Sequence, residues 1–150
     1  MWLLTLIAAL IPTSIAAISD LNCTSFGKYD KTAVNCQNKY PNKECENLFG
    51  KAVEVNTETE RADKCFKNSG GTADEQMKQL AISACPLTCG YCCLTPAYKC
   101  TNKQFPRIAC AALTSDMCKD PTWKQIIAED CPNVCGFCQE GEIHKVFLCL

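Results

Sequence analysis

Two stretches hold the residues best suited to chemistry: CPLTCGYCC at Cys85–Cys93 and CPNVCGFC at Cys131–Cys138. Cysteines at these spacings can do three things. A CxxC pair with a stabilised thiolate exchanges disulfides, four thiolates or imidazoles hold zinc, and oxidised pairs staple a fold. The redox motif sits after a strand in a βαβ unit, and no strand pattern precedes either copy. Zinc requires reduced sulfur, and the chain has a single histidine, His144. Structural pairing is therefore expected, with no metal and no cofactor.

The elements that position these cysteines are repeated as well. A shift of 46 residues lays MKQLAISACPLTCGYC on TWKQIIAEDCPNVCGFC, with Lys78 on Lys124 and Gln79 on Gln125. Met77, Leu80, Ala81 and Ala84 in the first copy, and Trp123, Ile126 and Ile127 in the second, follow helical spacing and predict a short amphipathic helix in each. Thr72 with Glu75 has capping-box spacing, and Asp120 before Pro121 supplies an N-cap and a first-turn proline. Cys85, Cys89 and Cys92 stand at i, i+4 and i+7, three sulfurs along one face. Their natural partners are the cysteines upstream: Cys100, Cys110 and Cys118 in the second copy, Cys23, Cys36 and Cys45 in the first. Six cysteines allow 15 pairings, and spacing does not choose among them.

Composition sets the compartment. Residues 1–17, MWLLTLIAALIPTSIAA, are uncharged and apolar and then turn to small residues, with Ser14 and Ala16 placed for cleavage, and read as a secretory signal peptide. All 15 cysteines follow it, a density of about a tenth that marks a disulfide scaffold in an oxidising, extracellular setting. No later segment is apolar enough to span a membrane. Charges nearly cancel, 15 basic against 16 acidic, so no basic stripe argues for nucleic acid or anionic lipid. Residues 18–92 are expected to form a first module with an inserted charged loop at about 46–71, residues 93–139 a second, and residues 140–150 a tail. Neither module buries much apolar surface, so cross-links must supply the stability.

CPNVCGFC, preceded by a short helix and three cysteines at intervals of nine, seven and twelve residues, resembles the ShKT domain, the six-cysteine module named for a sea anemone potassium-channel toxin and common in tandem in secreted nematode proteins. The resemblance covers Cys100 to Cys138 closely and Cys23 to Cys92 less closely. It implies a small disulfide-rich fold, two tandem ShKT-like modules with short helices and little or no sheet. The family's connectivity, first to sixth, second to fourth and third to fifth, implies Cys100 with Cys138, Cys110 with Cys131 and Cys118 with Cys135. It likewise implies Cys23 with Cys92, Cys36 with Cys85 and Cys45 with Cys89, leaving Cys65 and Cys93 as an extra bridge and Cys149 in the tail unassigned. The family's aspartate two places after the first cysteine is replaced by Ser25 and Asn102.

No catalytic machinery is visible. His144 lies in the tail, and Glu129 and Asp130, adjacent acids that face apart, read as the end of a solvated helix. The chain thus reads as a non-enzymatic binding or recognition protein for an extracellular protein or glycan, and the resemblance fits host-defence or surface-associated roles. The resemblance also carries an alternative, modulation of potassium channels, where a lysine plugs the pore and the aromatic after it packs alongside. Trp123 and Lys124 have these residue types in reversed order, and Lys78 has the lysine alone. Asn22-Cys23-Thr24 is an N-glycosylation sequon whose middle residue is itself a candidate for pairing.

Overall fold

The computed structural model describes residues 18–138. The signal-peptide expectation and the tail with His144 and Cys149 lie outside the described residues. The elements are a two-residue hairpin, β1 (Thr24–Ser25) and β2 (Lys28–Tyr29), and six short helices: α1 (Asn42–Phe49), α2 (Glu75–Ala84), α3 (Pro86–Cys89), α4 (Ser115–Lys119), α5 (Pro121–Asp130) and α6 (Pro132–Cys135). One core gathers Cys45, Phe49, Cys65, Phe66, Ala81, Cys85, Cys89 and Tyr91, and a second gathers Leu113, Cys118, Ile127, Cys131 and Cys135.

Each residue of CPxxCGxC has a geometric task, and both copies perform it alike. Proline disfavours the helical conformation in the residue before it. Cys85 (φ −136°, ψ 52°) and Cys131 (φ −133°, ψ 44°) accordingly leave the helical region, ending α2 and α5, and Pro86 and Pro132 start α3 and α6 at a new angle. Gly90 and Gly136 then close the short helices at φ +67° and +69°, the left-handed region that favours glycine. Neither site has room for a Cβ: one at Gly90 would lie 2.4 Å from Val53, and one at Gly136 would lie 2.8 Å from the Tyr98 ring.

Seven disulfides join the described cysteines. In the second module Cys100 pairs with Cys138, Cys110 with Cys131 and Cys118 with Cys135, the pairs that the resemblance implies. The first module corrects the expectation at every bridge: Cys36 pairs with Cys92, Cys45 with Cys85, Cys65 with Cys89, and Cys23 with Cys93. The connectivity rule is unchanged, but its register moves by one cysteine. Cys36, Cys45 and Cys65 are the upstream trio, and the extra bridge is Cys23–Cys93, which also ties Cys93 to the first module. The reason lies in residues 46–71, which are irregular over residues 50–62 but are tied into the core. They finish α1 with the buried Phe49, form a single-turn 3-10 helix at Asp63–Cys65, and carry Arg61, Cys65 and Phe66 into the core.

Two helix details differ from expectation too. The cap of α2 is Asp74, which accepts from Gln76 N at 2.8 Å and Met77 N at 3.2 Å, rather than Thr72. Leu80 is exposed while Ala81 and Ala84 are buried, because the staple-rich core leaves space beneath α2 only for small side chains. For α5 the sequence cap holds, with Asp120 accepting from Thr122 N at 2.8 Å.

Candidate functional site: a lysine and aromatic pair in each module

With the bridges in register, equivalent side chains can be compared between the modules, 64 positions apart at the opening cysteines and 46 positions apart from α2 onward. The opening cysteines Cys36 and Cys100 are each followed two places on by asparagine, Asn38 and Asn102. Asn38 Oδ1 accepts from Leu87 N at 3.0 Å, and Asn102 Oδ1 accepts from Asn133 N at 3.2 Å, matching amides in α3 and α6. Asn38, not Ser25, therefore stands where the resemblance places an aspartate. A neutral amide braces the closing helix in each module. One residue further on, Lys39 N donates to Ala84 O and Lys103 N to Asp130 O, both at 2.9 Å.

The next matched set is Lys78 with Tyr91 and Lys124 with Phe137. Lys78 Nζ lies 5.8 Å from the centroid of the Tyr91 ring, and Lys124 Nζ lies 6.0 Å from that of Phe137. In the first module this pair is covered from within. The Arg61 guanidinium, inaccessible to solvent, stacks on Tyr91 at 4.1 Å and on Tyr29 at 5.2 Å, cation–π geometry in both cases. It donates to the carbonyls of Cys89 (2.6 Å), Asn22 (2.7 Å) and Asp20 (3.0 Å). The Asp20 carboxylate accepts from the Tyr91 hydroxyl at 2.6 Å and lies 3.8 Å from Lys78 Nζ. Burial works against the Asp20 charge, but hydrogen bonds from Tyr91 and Asn22, with Arg61 nearby, outweigh it and hold the carboxyl below its usual range. Burial first, and then the bond to Asp20, push the Tyr91 hydroxyl well above the ordinary tyrosine range. Lys78 is consequently engaged within its own module, with 19% of its side chain accessible.

In the second module the pair is open. Lys124 is exposed at the middle of α5, Trp123 beside it is 38% exposed, and Phe137 is half-buried at the edge of a groove lined by Asn102, Lys103, Gln125 and Pro132. Trp123 and Lys124 are thus both exposed on α5, at consecutive positions that project about 100° apart. The groove's acidic end is internally neutralised. Asp130, expected on a solvated helix end, has a side chain closed to solvent and accepts from Arg107 Nε at 2.7 Å and Lys103 Nζ at 2.5 Å. Glu129 accepts from Arg107 at 2.6 Å.

The Arg107 and Lys103 bonds hold the Asp130 carboxyl far below the usual carboxylate range. A depressed native pKa stabilises the fold above the unfolded-state pKa, and that contribution is lost as pH falls through the native value. The stability gap between the native chain and Asp130→Asn is therefore expected to be constant above about pH 5 and to narrow below about pH 4. Thermal midpoints measured for both proteins across that range check this.

The two halves of each CxxC go to different partners, Cys89 to Cys65 and Cys92 to Cys36, so neither is a redox pair in this fold. Among the described residues no group of three or more His, Cys, Asp and Glu side chains could hold a metal ion, and no helix is long and apolar enough to cross a membrane. The sequon is folded in. The Asn22 side-chain amide donates to Asp20 Oδ1, and Cys23 is bridged to Cys93.

A small module held by two interleaved bridges inside the span of a third, with a helix broken at Cys-Pro and capped at Cys-Gly, defines a disulfide-stapled scaffold of the oxidising compartments. The ShK domain-like family matches residues 72–92 and 97–138, and the chain carries two such domains in tandem. The first match takes in the closing part of its module, and Cys36, Cys45 and Cys65 complete the staple from upstream. No curated protein and no solved structure matches the chain.

Proposed function

We infer that the protein is a secreted, disulfide-stapled binding protein that recognises another extracellular macromolecule, and that the second module carries the contact surface. The observation behind this reading is the asymmetry between the two copies. The lysine–aromatic pair is sealed by Arg61 and Asp20 in the first module and open beside Trp123 in the second. An exposed tryptophan next to a lysine on a rigid helix suits recognition, since its large amphipathic surface is held at little entropic cost. The bridges support a role outside the cell.

Potassium-channel modulation is the second reading, favoured by the exposure of Trp123 and Lys124 at consecutive positions of α5. Chemical cross-linking to extracellular proteins of the native source, followed by voltage-clamp recording, tests both. Cross-linked partner should fall about tenfold with Lys124→Ala or Trp123→Ala and stay unchanged with Lys78→Ala. Block of voltage-gated potassium current by the native protein at micromolar concentration, lost in Lys124→Ala, would establish the second reading instead. Cross-linking indifferent to Lys124 and Trp123, without block, would remove both.

A further inference from the structure

The first module shows what this lysine–aromatic pair holds when it is filled. The occupant is an aspartate and an arginine: the carboxylate of Asp20 is set against Lys78 and the guanidinium of Arg61 is laid on Tyr91, with the two charges 3.8 Å apart at Oδ2 and Nε. Arg61 also reaches the carbonyls of Cys89 and Gly90. The receiving groups on α2 and in the closing segment have counterparts 46 residues on, whereas the Tyr29 ring and the carbonyls of Asp20 and Asn22 have none. Lys124 matches Lys78, the Phe137 ring matches Tyr91, and the carbonyls of Cys135 and Gly136 match those of Cys89 and Gly90. Within the closing segment the one missing group is the Tyr91 hydroxyl, which Phe137 lacks. Among the described residues no carboxylate stands within ion-pair distance of Lys124, and no guanidinium stacks on Phe137.

We propose that Lys124 and Phe137 form a docking site for an aspartate–arginine pair displayed by a partner protein, with the carboxylate meeting Lys124 and the guanidinium lying on Phe137. The surroundings complement that occupant. Glu129 and Asp130 are already engaged by Arg107 and Lys103, which leaves Lys124 as a cation at this ring with no carboxylate partner among the described residues. The site names the partner chemistry of the binding reading and rests on it.

The test is a titration of the native protein with acetyl-Asp-Arg-amide, followed by NMR shifts of Lys124, Phe137 and the Trp123 indole. Acetyl-Asn-Arg-amide, acetyl-Asp-Lys-amide and sodium acetate serve as controls. Saturable shifts confined to α5 and residues 136–137 are expected with Asp-Arg, reduced with each control peptide and lost in Lys124→Ala. Phe137→Tyr restores the hydroxyl that Tyr91 offers Asp20 and should tighten binding about tenfold. The proposal is overturned if no shift saturates, if acetate alone reproduces the shifts, if Lys124→Ala leaves them intact, or if Phe137→Tyr weakens them. A partner whose cross-linking depends on Lys124 while the Asp-Arg probe stays silent would keep the binding reading and eliminate this occupant.

Discussion

Arg61→Ala is expected to destabilise the first module by about 4 kcal/mol or more, the sum of hydrogen bonds to a charged donor, buried acceptors left unpaired and a cavity. The guanidinium is closed to solvent, donates to four backbone carbonyls and separates two tyrosine rings. Its loss also leaves Asp20 with Lys78 as its remaining cation. Arg61→Lys should recover little, because an ammonium has neither the planar fork that reaches both carbonyl sets nor the flat face that stacks on the rings. Guanidinium unfolding of the oxidised protein, with amide exchange resolved by module, measures the effect. First-module protection within about 1 kcal/mol of native would show that Arg61 is not the centre of that core.

Removal of the Cys65–Cys89 bridge by paired alanine substitution should cost about 4 kcal/mol, of which about 3 kcal/mol comes from releasing the loop in the unfolded state. The rest is lost packing, since both sulfurs sit in the core. Removal of Cys23–Cys93 should cost less. Its residues are half-buried, and once Cys36–Cys92 has closed, the bridge adds only the constraint on the chain between Cys23 and Cys36. The same experiment checks the register. Cys85, Cys89, Cys92 and Cys93 fall between Lys78 and Lys99 with no tryptic site among them, so partial reduction with stepwise alkylation is needed to assign partners. Recovery of a Cys65–Cys93 linkage from the native protein would reverse the register described above.

The second module was legible because its six cysteines lie within Cys100–Cys138 and its helix carries both a cap and apolar periodicity. The first was misread because 19 residues separate Cys65 from the nearest cysteine on either side, inside a charged run that looks like a solvated loop. A signal for the true register existed. CQNK at Cys36–Lys39 repeats as CTNK at Cys100–Lys103, and aligning those tetrapeptides makes Cys36 the opening cysteine. Arg61 left no such trace. One arginine in ETERADK looks like surface charge, and only the packing of Tyr29 and Tyr91 on either side makes it a core residue. Likewise the open pair in the second module became visible only by contrast with the filled one.

The bridge pattern of the first module also dictates a timetable. All four of its bridges take their second sulfur from Cys85–Cys93. A chain entering an oxidising lumen amino-terminus first therefore presents Cys23, Cys36, Cys45 and Cys65 before any proper partner has arrived. Premature links among these four must be undone by thiol–disulfide exchange, and the nine-residue run that ends in adjacent Cys92 and Cys93 must then sort four partners at once. The first module, whose bridges span 24 to 70 residues, is therefore expected to mature later than the second, whose bridges span 17 to 38.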